Sequence, residues 1–153
     1  TYDFGWDMDM ADMDNDGDVD VVMALGMLAP EDPADLAHHQ IIWYENDGNP
    51  EGHGWKKHMI CDSFPNAFEA VAADLDGDGQ MEVVASAWEK DGRVAVFKHH
   101  GDPRGPWSMQ MLKENWPMAN QVLTADLTGN GRLDIIASAE RGSNELRWWR
   151  NEG

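Results

Sequence analysis

Ala11-Asp12-Met13-Asp14-Asn15-Asp16-Gly17-Asp18-Val19-Asp20-Val21-Val22-Met23-Ala24 occurs three times in this chain. It returns without gaps as Ala73-Asp-Leu-Asp-Gly-Asp-Gly-Gln-Met-Glu-Val-Val-Ala-Ser86 and as Ala125-Asp-Leu-Thr-Gly-Asn-Gly-Arg-Leu-Asp-Ile-Ile-Ala-Ser138. Sixty-two residues separate Asp12 from Asp74 and 52 separate Asp74 from Asp126, so the chain is an array of similar units. Within each copy, oxygen-bearing side chains stand at positions 1, 3, 5 and 9, counted from the first aspartate. A glycine stands at position 6, and a β-branched pair follows.

Alternating donors on a curled loop can converge on one point. Ca²⁺ takes six to eight hard oxygens, and a glycine at position 6 permits the sharp turn. The first loop offers Asp12, Asp14, Asp16 and Asp20; the second offers Asp74, Asp76, Asp78 and Glu82; the third offers Asp126, Thr128, Asn130 and Asp134. Position 7 (Asp18, Gln80, Arg132) varies in side chain, as expected where only a backbone carbonyl serves. Affinity follows ligand charge, so two Ca²⁺ sites are expected, with the third weaker or empty. An EF-hand needs a bidentate Glu at position 12. Met23, Ala85 and Ala137 stand there, followed by sheet-forming rather than helical sequence.

The repeat extends beyond the loop. Ile41-Ile-Trp-Tyr-Glu-Asn46 matches Val94-Ala-Val-Phe-Lys-His99 and Leu146-Arg-Trp-Trp-Arg-Asn151, and Trp55 to Ile60 matches Trp107 to Leu112. Tyr2, Phe64 and Trp116 each stand ten residues before a first aspartate. Val21-Val22, Val83-Val84 and Ile135-Ile136 suit a pleated surface. Asn46-Asp47-Gly48, Lys90-Asp91-Gly92 and Arg141-Gly142-Ser143 supply turn chemistry. Four short strands in a unit of about 50 residues predict an all-β fold of propeller blades. The repeats span residues 2–61, 64–113 and 116–153, the last lacking its outer strand. Closed propellers have four to eight blades, so the chain is expected to be a fragment of a longer propeller or to complete a ring by association, as a homo-oligomer. Its start at Thr1, without Met, reads as a mature product or a cut piece.

Composition narrows the partners. The 153 residues carry 29 acids against 11 Lys and Arg, a formal charge of −18. Such a chain is repelled by nucleic acid and by anionic membrane. Three bound Ca²⁺ would bring it to −12. No apolar run approaches the roughly 18 residues of a membrane span. The single cysteine, Cys61, excludes an intrachain disulfide and reads as a packed thiol.

Eight tryptophans and six histidines remain to be placed. Trp43, Trp55, Trp107, Trp148 and Trp149 recur at equivalent positions, which favours packing between blades over sugar stacking. Trp88 breaks the regularity near the rim and is a candidate ligand contact. His38 and His39 lie in the insertion around Leu28 to His39 that only the first repeat carries. Insertions in repeat proteins map to loops on one face, so both are candidate ligand contacts too. No nucleophile, base and acid stand at catalytic spacing, and the Gly-rich stretches are too acidic to cradle phosphate.

The pattern D-x-D-x-D-G-x-x-D followed by V-V-x-A, and then W-Y-E-N-D-G, resembles the FG-GAP/VCBS repeat family. The calcium loops of that family are similar to those of the integrin α-subunit propeller. Loop three departs from the pattern at Thr128 and Asn130. The resemblance implies a β-propeller, an extracellular or periplasmic setting and calcium as a structural ion. It further implies a binding or scaffold module for carbohydrate or extracellular protein ligands. The alternative it carries is the propeller part of a carbohydrate-active enzyme, such as a polysaccharide lyase or a sugar dehydratase.

Overall fold

A computed structural model describes residues 5–26, 38–52 and 54–153. Tyr2, residues 28–37 of the insertion and His53 lie outside them. Among the described residues, eleven strands form three antiparallel meanders. The first sheet holds β1 (Gly5–Ala11), β2 (Asp20–Leu25), β3 (Gln40–Asn46) and β4 (Trp55–Cys61) in that order. The second holds β5 (Ala67–Ala73), β6 (Glu82–Ala87), β7 (Arg93–His99) and β8 (Trp107–Lys113). The third holds β9 (Ala119–Ala125), β10 (Asp134–Ala139) and β11 (Glu145–Trp149).

The repeat is preserved down to its irregularities. A bulge interrupts the first strand of every sheet, between Gly5 and Asp7, between Ala67 and Glu69, and opposite the Ala137–Ala139 step. A second interrupts the β3–β4 and β7–β8 pairings at Ile41/Ile42 and Val94/Ala95. Bulges raise local twist, so the same twist is set at the same place in successive sheets.

Side chains alternate across each strand, and the three sheets pack face against face as propeller blades. Val22, Ile41 and Trp43 of the first sheet meet Ala70, Ala85 and Phe97 of the second. On its other face the second sheet presents Val84 and Val94 to Val122, Ile135 and Ala137 of the third. This explains the near-continuous apolar run of β6, which is buried at all six residues because blades cover both its faces. Burying each large aliphatic side chain contributes about 1.5–3 kcal/mol, so blade stacking is the main source of stability. First strands lie next to first strands across the blades, β1 beside β5 and β5 beside β9.

Carboxylates tie those first strands together. Asp9 accepts the Ala72 N–H at 3.0 Å. Glu69, 7 % exposed, accepts the Val122 N–H and faces Asp7 and Asp9. Burial, reinforced by the Asp7 carboxyl, pushes Glu69 up to about 7 against the opposing pull of the Val122 N–H. Between the ordinary carboxyl range and that value, the folded chain holds a proton that the unfolded chain releases. Stability therefore falls as pH rises through this window. Glu69→Gln keeps an acceptor for Val122 and removes the charge. It should stabilise the protein at pH 8 by up to about 3 kcal/mol and leave it unchanged near pH 4. Chemical denaturation of both proteins at the two pH values checks this; a pH-independent difference would contradict it.

Candidate metal centres

The three acidic loops all join the first strand of a sheet to its second, so they share one end of the blades. Each closes on itself by the same bonds. Asp12 accepts the N–H groups of Asp16 (3.1 Å) and Gly17 (3.0 Å). Asp74 accepts those of Gly77 (2.7 Å), Asp78 (3.1 Å) and Gly79 (3.0 Å). Asp126 accepts those of Gly129 (2.7 Å), Asn130 (3.1 Å) and Gly131 (2.7 Å). These donors, the Gly131 N–H first, hold the Asp126 carboxyl below its usual range. Position 5 accepts from position 7: Asp16 from Asp18 (2.9 Å), Asp78 from Gln80 (2.8 Å) and Asn130 from Arg132 (2.9 Å).

Two positions require left-handed backbone. Gly17, Gly79 and Gly131 at position 6 have φ of 97°, 84° and 83°. Position 4 does the same, with Asn15 at 59°, Gly77 at 78° and Gly129 at 72°. Only Gly, Asn and Asp adopt this conformation readily. The sequence shows it as an Asn or Gly at position 4 in all three loops, a signal that a search for oxygen donors passes over.

The carboxylates converge unequally. Oxygens of Asp12, Asp14 and Asp20 lie within 4.8 Å of one another, as do oxygens of Asp74, Asp76 and Asp78. Asp16 and Glu82 do not join these clusters. Loop three gathers no third carboxylate among the described residues, since Thr128 and Asn130 replace two of them. Two of the position-7 side chains turn elsewhere: the Asp18 carboxylate lies against Gly48, and the Arg132 guanidinium against Gly153, whereas the Gln80 amide donates to Asp78 at 3.5 Å.

Position 9 is the buried member. Asp20 and Asp134 are fully buried and Glu82 is 3 % exposed. Asp20 accepts the N–H of Met13 (2.8 Å) with one oxygen and that of Asn46 (2.8 Å) with the other. Asp134 does the same with Leu127 (3.2 Å) and Asn151 (2.8 Å). Glu82 accepts the Leu75 N–H at 2.9 Å. This carboxylate therefore staples the loop to the end of the third strand. The amides of Asn46 and Asn151 add bonds to the carbonyls of Val19 (3.3 Å) and Leu133 (3.1 Å). The clamp was readable only as an Asn recurring at the end of the third strand. In the second blade His99 takes that place, buried, with both ring nitrogens lacking a hydrogen-bond partner, and burial holds it below the usual imidazole range.

The crowding has an electrostatic signature. Burial, with Asp16 adding repulsion, raises Asp14 above its usual range against the pull of Arg104. Burial also raises Asp20, against the backbone donors Asn46 and Met13. Cationic side chains stand at both clusters. Arg104, from the β7–β8 turn of the next blade, bonds Asp14 and reaches Glu45 at 2.6 Å. The Lys98 ammonium bonds Asp76 and lies 3.1 Å from Glu82 and 3.5 Å from Asp78. Each cluster is thus a convergent set of hard oxygens, part-buried in loop one and largely exposed in loop two, that already draws a positive charge, which fits a divalent cation of the calcium type.

Trp88 and His39 sit at the other end of the sheets, and the structure brings both to Asn66. The Trp88 N–H donates to the Asn66 carbonyl (2.9 Å), and His39 Nδ1 accepts the Asn66 N–H (3.1 Å). His39 is buried; His38 and Trp88 are half-buried, and the buried Trp88 indole N–H has no hydrogen-bond partner among the described residues.

No curated protein matches this chain. The family model of the FG-GAP-like repeat matches residues 12–85, from the first aspartate of loop one through loop two into β6. With that match, three antiparallel sheets and an acidic loop at the same turn of each, residues 12–85 carry an FG-GAP-like repeat and the chain is a propeller-like binding or scaffold domain.

Proposed function

We propose that the chain is a calcium-stabilised propeller module that works outside the cytoplasm and presents a rigid surface to carbohydrate or protein ligands. The observation that carries this reading is the convergence of three carboxylates in each of the first two loops, with Asp14 of loop one buried and repelled by Asp16. A divalent ion relieves that repulsion and fixes the first strand of each blade to the second. Asp12, Asp14 and Asp20 hold the ion in loop one, and Asp74, Asp76 and Asp78 hold it in loop two. Lys98 and Arg104 yield their places to it. FG-GAP repeats are typically extracellular domains, where calcium is plentiful, and no described helix is long and apolar enough to cross a membrane. The ligand surface is the end that carries Trp88, a half-buried side chain that breaks the regular tryptophan pattern of the repeat.

Calorimetric titration of calcium into chelator-stripped protein tests the reading. Two ions should bind per chain. Asp12→Ala and Asp74→Ala should each remove one, and Asp126→Ala should leave the count at two. Absence of calcium binding, or loss of an ion only in Asp126→Ala, would refute it.

A further inference from the structure

The first two acidic loops draw their positive charge from different places. The third-strand residue just before the clamp position is Glu45 in blade one and Lys98 in blade two. Lys98 therefore answers its own loop, from β7 of the same blade. Its ammonium bonds Asp76 and lies 3.1 Å from Glu82 and 3.5 Å from Asp78. Among the described residues, these three acids, all of loop two, are its only ion-pair partners. The bonded pair stands in the open, with the Asp76 side chain 49 % exposed.

Blade one has a carboxylate where blade two has its cation, so loop one is neutralised from outside the blade. Arg104 reaches it from the β7–β8 turn of blade two. One terminal nitrogen of the guanidinium bonds both Asp14 and Glu45, the latter at 2.6 Å, and Nε donates to the second Glu45 oxygen at 3.2 Å. His58 Nε2 stands 2.5 Å from that same oxygen. The Asp14 side chain is 1 % exposed. An attraction shielded from water is worth more than one at the surface, so the Arg104 bridge is the stronger of the two. Without it Asp14 would face Asp16 and Glu45 with no cation between them.

We propose that Arg104 and Lys98 are built-in competitors of calcium, which set the affinity of loops one and two, and that the cross-blade competitor Arg104 acts more strongly. The proposal rests on the calcium reading above. An ion in loop two displaces Lys98 into solvent. An ion in loop one takes Asp14 from Arg104, which keeps Glu45. Filling loop one thus loosens a tie between blades one and two. That tie lies beside the Pro103 carbonyl, on which the indole N–H groups of Trp43 (3.2 Å) and Trp107 (2.9 Å) converge.

Calorimetric titration of calcium into chelator-stripped protein, one loop at a time, tests this. In an Asp74→Ala parent, which leaves loop one to fill, Arg104→Gln should tighten calcium roughly 10-fold. Arg104→Lys, which keeps the charge and loses the fork, should fall between the two. In an Asp12→Ala parent, Lys98→Gln should tighten loop two roughly 3-fold, as for an exposed pair. This substitution of an exposed side chain remains informative should Arg104→Gln fail to fold. Melting supplies a second readout. Calcium should raise the melting temperature of Arg104→Gln more than that of its parent, whereas a merely structural role would lower both of its melting temperatures alike. Calcium bound by the parents with an affinity that Arg104→Gln or Lys98→Gln leaves unchanged overturns this proposal alone. So does a larger effect of Lys98→Gln than of Arg104→Gln. Absence of calcium binding in parents and variants overturns the calcium reading with it.

Discussion

Chelation of calcium should lower the melting temperature of this protein by at least roughly 10 °C. An ion that binds only the folded chain stabilises it by about 4 kcal/mol when its concentration is a thousand times the dissociation constant. In a domain of this size 1 kcal/mol moves the midpoint by about 2–4 °C. Two occupied loops therefore reach or exceed that threshold. The ion acts where buried carboxylates already crowd one another, since Asp14 and Asp20 are raised by burial with their neighbours' charges added. Scanning calorimetry with millimolar calcium and with excess chelator gives the shift directly. Identical melting curves in the two buffers would remove calcium from any structural role.

Asp20→Ala should cost about 3–5 kcal/mol even in chelator, a fall in melting temperature of roughly 10 °C. The reason is independent of any ion. Asp20 is fully buried and takes both the Met13 and the Asn46 N–H groups. Truncation leaves two buried donors without acceptors, and each costs about 1–3 kcal/mol. Asp16→Ala is the contrasting variant. Asp16 is exposed and stands outside the convergent cluster, so its loss should be close to neutral in chelator. Equal melting temperatures for the two variants in chelator would show that position 9 is no more than another ligand.

Much of the architecture is legible in the residues, and the reasons are local. Val83-Val84 inside an apolar run, with turn residues on either side, announces a buried inner strand, and β6 is buried throughout. The three acidic loops announce themselves because their donors, glycines and following β-branched pairs repeat at fixed offsets. Position 4 was legible in the same way, as Asn15, Gly77 and Gly129, but it is a conformational signal and not a chemical one. The partition of the donors was not legible. Asp12, Asp14, Asp16 and Asp20 look alike in one dimension. Only the partners of each side chain separate Asp20, which holds the loop to β3 through backbone N–H groups, from Asp14, which meets Arg104. The cations were equally hidden. Arg104 reaches Asp14 from 90 residues away, because blade two brings its β7–β8 turn over the loop of blade one.

By itself the sequence determined the repeat, the strand content, the place of each acidic loop and the missing carboxylates of the third, because periodicity, β-branching and charge act on near neighbours in the chain. Tertiary structure alone decided which carboxylate is buried, which basic side chain answers it, and that Trp43 is wholly covered while its counterpart Trp148 stands half exposed. Those outcomes depend on what lies across the gap between blades. The nature of that neighbour is a property of stacking in space that no single repeat contains.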